Sequence, residues 1–421
     1  MAGITQLPAF AQPTVPGGFR SDAEKPRRQR RSIVQAALIG ATLAVAGLPV
    51  SSASAADDTF KVGLVLPMTG PFASTGRQVE NGVRTYLHQY GTEVAGRKVE
   101  ILLRDDAGDP ANSKRLAQEL LVTRKVDVLA GFGLTPLALA VAPMATQTKT
   151  PMVIMAAQSL AVINASPYAI RTSGTIPQVT MGSAVWAGKH GLKEVATLVP
   201  DYAPGHESEK AFKEFFNGPD QKIASEIRVP MANPDFAPFV RRIKDQKPDA
   251  LYVMLPAGPG AAFLKEYAAR GLAKAGIPLL AHGAVTDDDF LNESGDEALG
   301  IITSDYYSAA HPSEMNKKFV ADFKQLNNGE RPNFFAVAGY DGMHVIYNAI
   351  KTAEDASNGD ALLGAMKNQS FESPRGPVTV DPETRDFVQN IYIRKVERVD
   401  GELYNVEFDT IENVLNTGKT K

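Results

Sequence analysis

The chain has 421 residues, 44% of them hydrophobic, which is enough for two sizeable cores and makes two domains the natural expectation. A formal charge of −3, from 44 Lys and Arg against 47 Asp and Glu, argues against a nucleic-acid partner, which calls for a basic face. The absence of cysteine excludes disulfides, thiolate catalysis and cysteine-ligated metals.

The first 55 residues read as an export signal. Arg27, Arg28, Arg30 and Arg31 form a basic region, and residues 33–50 follow without a charge. That stretch is short for a membrane span, which takes about 20 apolar residues. Ala53-Ser54-Ala55 supplies a small-x-small cleavage pattern, so the mature chain is expected to begin at Ala56, and Arg30-Arg31-Ser32-Ile33-Val34 has the form of a twin-arginine signal. Residues 1–55 carry six Lys or Arg and two Asp or Glu, so removing their +4 from −3 leaves a mature charge of −7.

From residue 60 onward, short apolar runs alternate with helix-sized segments. Residues 60–66 read as a buried strand, and 78–90 as a helix with Val79, Val83, Tyr86, Leu87 and Tyr90 on one face. Strand 99–103 follows, then a helix opened by Asp109-Pro110. Further strands are expected at 126–130, 152–155, 195–199, 223–229, 250–255 and 277–281. The alternation implies parallel sheets covered by helices, and the polar stretch 172–177 is a natural first boundary between two of them. Beyond 300 the pattern changes to helices around 313–326 and 336–354, then strands at 377–380, 389–396 and 402–408.

In open parallel sheets, ligands bind beyond the carboxyl ends of the strands, where loops lead into helix N-termini. Four such loops are rich in glycine, proline or hydroxyl residues: 67–76, 131–136, 156–159 and 201–205. Any one of them could be structural, its glycines serving positive φ and Thr135 or Ser159 merely capping a helix. Their equivalent placement points to a shared anion site built on backbone N–H groups.

Signatures of catalysis are missing. GFGLTP lacks the third glycine of a dinucleotide fingerprint, and there is no phosphate-binding GxxxxGK(S/T), no HExxH and no GxSxG. Six histidines are scattered without ligand spacing, and Asp287-Asp288-Asp289 reads as loop and helix cap, not metal site. His206 and Glu207 read as an exposed first-turn pair, and Trp186 as core. No metal, cofactor or enzymatic activity is expected.

The ordered motifs KVGLVLPMTGPFASTG, RDDAGDP, GFGLTPLALAVAP, PMVIMAAQS, SPYAIRTS, VPDYAPG and GYDGMHVIYNAI resemble the type I periplasmic binding proteins of the leucine/isoleucine/valine class, over residues 58 to about 410. The resemblance implies two doubly wound parallel-sheet lobes joined by a three-segment hinge. One lobe would comprise 56–174 with 304–387, the other 175–303 with 388–421. It also implies the membrane subunits of an ABC importer as partner; with the export signal, a monomer in the periplasm is expected. Carried over by position, it implies ligand contacts at Thr135, at Ala156, Gln158 and Ser159, at Tyr202 and at Tyr340. Amino-acid binders hold the ligand ammonium with a carboxylate at a loop that here reads AHGAV, with Gly283 where the acid would stand. A buried ammonium without a counter-charge costs several kcal/mol, so an α-amino acid fits poorly unless Asp287 or Asp201 reaches in. The combination GFGLTPLALA, DYAPG, NPDFAPF and SAAHPSEMNK instead resembles the subgroup that binds aromatic carboxylates. Phe72, Phe132 and Tyr202 would then sandwich the apolar body while Thr135, Gln158 and Ser159 hold the carboxylate. Two alternatives stay open: a carrier of branched-chain amino acids, amides or urea, and a periplasmic ligand sensor.

Overall fold

The structure, a computed structural model, describes residues 59–420 apart from residue 232. The expected export signal and its cleavage site lie outside the described residues.

The first sheet is built by β1 (Thr59–Leu66), α1 (Ala73–Tyr90), β2 (Glu93–Val94), β3 (Arg97–Asp105), α2 (Pro110–Glu119), β4 (Val128–Gly131), α3 (Thr135–Thr148), β5 (Met152–Ile154), α4 (Leu160–Asn164) and β6 (Ala169–Arg171). Its strand order is β2-β3-β1-β4-β5-β6, all pairs parallel except β2 on β3. The second begins with α5 (Ile176–Lys189), β7 (Glu194–Pro200), α6 (Ala203–Phe215), β8 (Lys222–Val229), α7 (Ala237–Gln246), β9 (Ala250–Val253), α8 (Ala257–Ala269), β10 (Leu279–His282), α9 (Leu291–Ser294) and β11 (Ile302–Asp305). The chain then forms α10 (Glu314–Leu326), α11 (Phe334–Thr352), α12 (Gly359–Met366), β12 (Ser370–Ser373), β13 (Gly376–Val380), β14 (Phe387–Val399) and β15 (Glu402–Val414). The second sheet runs β12-β13-β14-β11-β10-β9-β7-β8, with β15 on β14; the strands from β8 to β11 are parallel and the rest antiparallel.

The result is two α/β lobes. The strand β4 is apolar throughout, and β1 is so from Val62 onward, because helices cover both faces of their sheet. The α2 helix starts as the sequence suggests, with Pro110 first and the Asp109 carboxylate accepting from the Asn112 N–H at 2.7 Å. The helices α10, α11 and α12 return to the first lobe: Phe319, Val337, Tyr340 and Leu362 share one core with Phe60, Val79 and Tyr86. There α1 crosses α11 at van der Waals contact through two glycines, since a Cβ on Gly82 would strike the Ala336 carbonyl and one on Gly339 the Val79 carbonyl. The expectations missed β2, β6, β11 and β12, each of two to four residues and too short for a visible period.

Buried polar bonds tie together the passages between lobes. Arg171, at the end of β6, donates to Asp386 at 2.8 Å, both side chains being almost wholly buried. Arg375 donates to the Thr172 carbonyl at 2.9 Å and pairs with Asp341 at 2.7 Å. Gln178, in the first turn of α5, donates to the carbonyls of Phe387 and Val414 at 2.9 and 3.0 Å.

Candidate functional site: a cavity between the lobes

One cavity collects the strand-end loops of both lobes. Its first-lobe wall is Phe72, Thr75, Gly133, Leu134, Thr135, Ala156, Ala157 and Gln158, with Phe335 from the start of α11. Its second-lobe wall is Tyr202, Pro204, Met254, Leu255, Pro256, His282 and Ala284, with Ile176 at the crossing. About 70 Å³ is open to the centres of water-sized atoms, several times the roughly 10–15 Å³ that one water needs, which suits a small guest.

Among the described residues, no Asp, Glu, Lys or Arg lines this space. The polarity comes from Thr75, Thr135, Gln158, Tyr202 and His282, and from three helix ends. The N-termini of α3, α6 and α8 reach the cavity at Leu134–Thr135, Tyr202–Pro204 and Pro256, and no side chain caps any of them. Their first-turn N–H groups and dipoles favour negative charge without a cationic residue. Burial, followed by the nearby Glu207 carboxylate, pushes the Tyr202 hydroxyl well above its ordinary range, so it stays protonated and can donate.

Gln158 is the lining polar group left short of a partner. It is only 9% exposed, and its Nε2 has no partner among the described residues. Its Oε1 lies 3.2 Å from His282 Nε2, across the gap between lobes. Burial, reinforced by the Arg394 charge, pushes the His282 imidazole down to about 3. The unfolded chain therefore takes up a proton on this ring below about 6.5, whereas the folded chain does so only near 3, and stability is lost as pH falls through that window. At pH 5 the loss is roughly 2 kcal/mol. Asp289 and Asp305, both raised by burial to about 6, act in the opposite sense, so the test is a comparison. His282→Gln should lose less melting temperature than wild type between pH 7 and pH 5, and equal losses would refute the assignment.

Of the residues singled out from sequence, Phe72, Thr135, Ala156, Gln158 and Tyr202 line this cavity. Four others do not. Phe132 was expected to face the guest, but its backbone takes φ 65° and its ring is fully buried in the first-lobe core with Val65, Leu129 and Val141. Tyr340 packs edge-on against Tyr86 and Phe319 at 5.1 and 4.9 Å and donates to Gln89 at 2.6 Å, on the side of α11 facing α1 and α10. Ser159 caps α4 and donates to Glu207 at 2.5 Å. Gly283 lies against a buried pair, since a Cβ there would strike both Asp305 and Arg394.

The nearby carboxylates are engaged elsewhere. Asp287 accepts from Asn333 Nδ2 at 2.9 Å, Asp289 accepts from Ser74 and Gln78, and Asp201 pairs with His206 on the surface. The acidic run is thus a contact between lobes, not a helix cap, and Glu207 turns toward Ser159 instead of solvent. Trp186 is only partly buried and stacks on His190 at 4.1 Å. Thr75, Met254, Leu255, His282, Ile176 and Phe335 were not anticipated. The segment 254–256 carried the same signal as the chosen loops, following β9 and leading into α8.

A family model described as periplasmic binding protein matches residues 59–402. The chain belongs to the periplasmic binding protein family. It is 40% identical over 380 residues to the Leu/Ile/Val-binding protein homolog 6 of Brucella abortus, covering 89% of this chain and 97% of that one. Among solved structures, an ABC-transporter solute-binding protein from Rhodopseudomonas palustris BisB5, in complex with 3,4-dihydroxybenzoic acid, is 55% identical with a TM-score of 0.84, covering 86% of this chain and all of the other. A second R. palustris solute-binding protein, in complex with 4-hydroxybenzoate, is 38% identical with a TM-score of 0.82, over 85% and 98%. The periplasmic binding protein family and these neighbours are substrate-binding proteins of ABC transporters, not enzymes, and membership implies a periplasmic location and membrane subunits as partners.

Proposed function

We propose that this periplasmic binding protein carries a small aromatic carboxylate, of the hydroxybenzoate kind, to an ABC importer. The observation that carries the reading is the cavity's chemistry: apolar walls with Phe72, Tyr202 and Phe335, no ionic side chain, and an unpartnered Gln158 amide beside three uncapped helix ends. An aromatic body supplies area against such walls, and a carboxylate takes up the N–H groups. An α-amino acid would leave its ammonium without a counter-charge, because Gly283 admits no side chain and Asp287 and Asp201 bond elsewhere. The complexes of the R. palustris relatives with 3,4-dihydroxybenzoic acid and 4-hydroxybenzoate support the same class.

The reading includes an exported, monomeric carrier with a signal cleaved near Ala55. Its lobes hinge at crossings near 172–177, 304 and 388 and close on the guest. In a thermal-shift panel, 4-hydroxybenzoate and 3,4-dihydroxybenzoate should raise the melting temperature and leucine should not. A shift with leucine alone would overturn the proposal in favour of an amino-acid carrier. Thr135→Val, which removes the hydroxyl at the start of α3, should weaken 4-hydroxybenzoate binding by about tenfold in calorimetry. Unchanged affinity would remove Thr135 from the site.

A further inference from the structure

The two ends of the Gln158 amide are chemical opposites, an acceptor oxygen and a double donor nitrogen, so the end that faces the cavity decides which guest is admitted. The structure fixes that choice through His282. The Ala284 backbone N–H donates to His282 Nδ1 at 3.0 Å. A ring nitrogen that accepts carries no proton, so the proton of the neutral imidazole sits on Nε2. Nε2 therefore donates, and the atom that answers at 3.2 Å is Gln158 Oε1. With its oxygen engaged, the amide has only its nitrogen left to offer a guest; that atom is enclosed in this structure and lacks a partner among the described residues.

This geometry spans both lobes. Gln158 follows β5 in the first, whereas His282 ends β10 in the second, where the Ala284 N–H that orients it begins the next turn. Burial and the charge of Arg394 disfavour a second proton on the ring.

We propose that His282 is a positioning residue that holds the Gln158 amide nitrogen toward the guest, so that the closed cleft selects a carboxylate over the corresponding carboxamide. The inference rests on the aromatic-carboxylate reading and adds the residue that sets its specificity. Discrimination follows because a carboxylate accepts at both oxygens, whereas a carboxamide, whichever way it turns, sets its nitrogen against either the Gln158 nitrogen or a helix-start N–H, donor against donor.

The test is calorimetry of the full chain with 4-hydroxybenzoate and 4-hydroxybenzamide, for wild type, His282→Ala and His282→Gln. In His282→Ala the Gln158 amide is free to turn. Affinity for the acid should fall about tenfold while affinity for the amide holds or rises, so the preference narrows by at least that factor. Gln at 282 places an N–H donor where Nε2 stood and should restore the preference. Parallel loss of both guests in His282→Ala, or an unchanged preference, would overturn the proposal.

A second measurement needs no guest. Nitrogen-15 NMR of the wild-type imidazole should show a neutral ring protonated on Nε2 at pH 7. The opposite tautomer or a charged ring would overturn the relay. Should wild type bind neither guest, the aromatic reading fails, and the tautomer alone decides whether His282 orients Gln158.

Discussion

Gln158→Glu should reduce affinity for 4-hydroxybenzoate by a hundredfold or more at pH 7.5. The substitution keeps the shape of the side chain and its acceptor for His282, but replaces the open donor with a carboxylate oxygen beside the ligand carboxylate. At about 4 Å and an effective dielectric near 20, two like charges repel by roughly 4 kcal/mol, about a thousandfold in affinity. The carboxyl can escape by taking up a proton, after which its O–H donates to the ligand as the amide did. The defect should therefore shrink as pH falls toward 5, whereas wild-type affinity should change little over that range. Calorimetry at the two pH values reads both effects. An affinity equal to wild type at pH 7.5 would place the ligand carboxylate away from Gln158.

Arg171→Leu should destabilise the fold by about 3–5 kcal/mol, the usual result of removing one member of a buried ion pair. Arg171 and Asp386 are 0% and 1% exposed, and the lost guanidinium also donates to the Ala157 carbonyl at 3.2 Å. In the variant, Asp386 keeps only Asn416 Nδ2 at 2.8 Å as a side-chain partner, too little for a buried charge. The companion change Asp386→Leu removes that charge, so the double variant should regain much of the stability lost. Urea melts of the wild type, both single variants and the double variant form the cycle. An additive double variant would show that the two side chains do not act as a pair. Because Ala157 lines the cavity, Arg171→Leu should also loosen ligand binding in protein that remains folded.

The architecture was legible wherever a strand was long and buried on both faces. Runs such as 60–66 and 195–199 stand out between amphipathic helices, and Asp109-Pro110 marks a helix start by its capping chemistry. The strands β6 and β11 carry too few apolar residues to stand out as runs, and their pairing is decided by neighbours elsewhere in the chain. The cavity was legible in part through one rule, that loops after parallel strands lead to helix starts, which places Phe72, Thr135, Ala156, Gln158 and Tyr202 together. The rule does not say which way a loop residue turns. Phe132 takes positive φ and points into the core, a choice made by backbone conformation that its sequence neighbours do not reveal. Tyr340 could have been assigned to the core from its helical stripe, since Tyr340, His344 and Tyr347 follow one another at i, i+4 and i+7 and all three rings meet Tyr86. His282 gave no motif at all. Its importance comes from Gln158, more than a hundred residues away.

The bonds that Ser74 and Gln78 make to Asp289, that Asn333 makes to Asp287 and that Ser159 makes to Glu207 join protein to protein. If the lobes hinge as proposed, these bonds favour the shut form with or without cargo, and so tilt the resting equilibrium before a guest arrives. Such a bias tightens apparent affinity, because less of the guest's binding energy goes into bringing the halves together. The same bias raises the background: an importer that recognises only the shut outline will dock some unloaded carriers and cycle idly on them. The strength of this clasp thus sets a compromise between scavenging a scarce nutrient and wasting turnover, adjustable at residues that never touch the cargo.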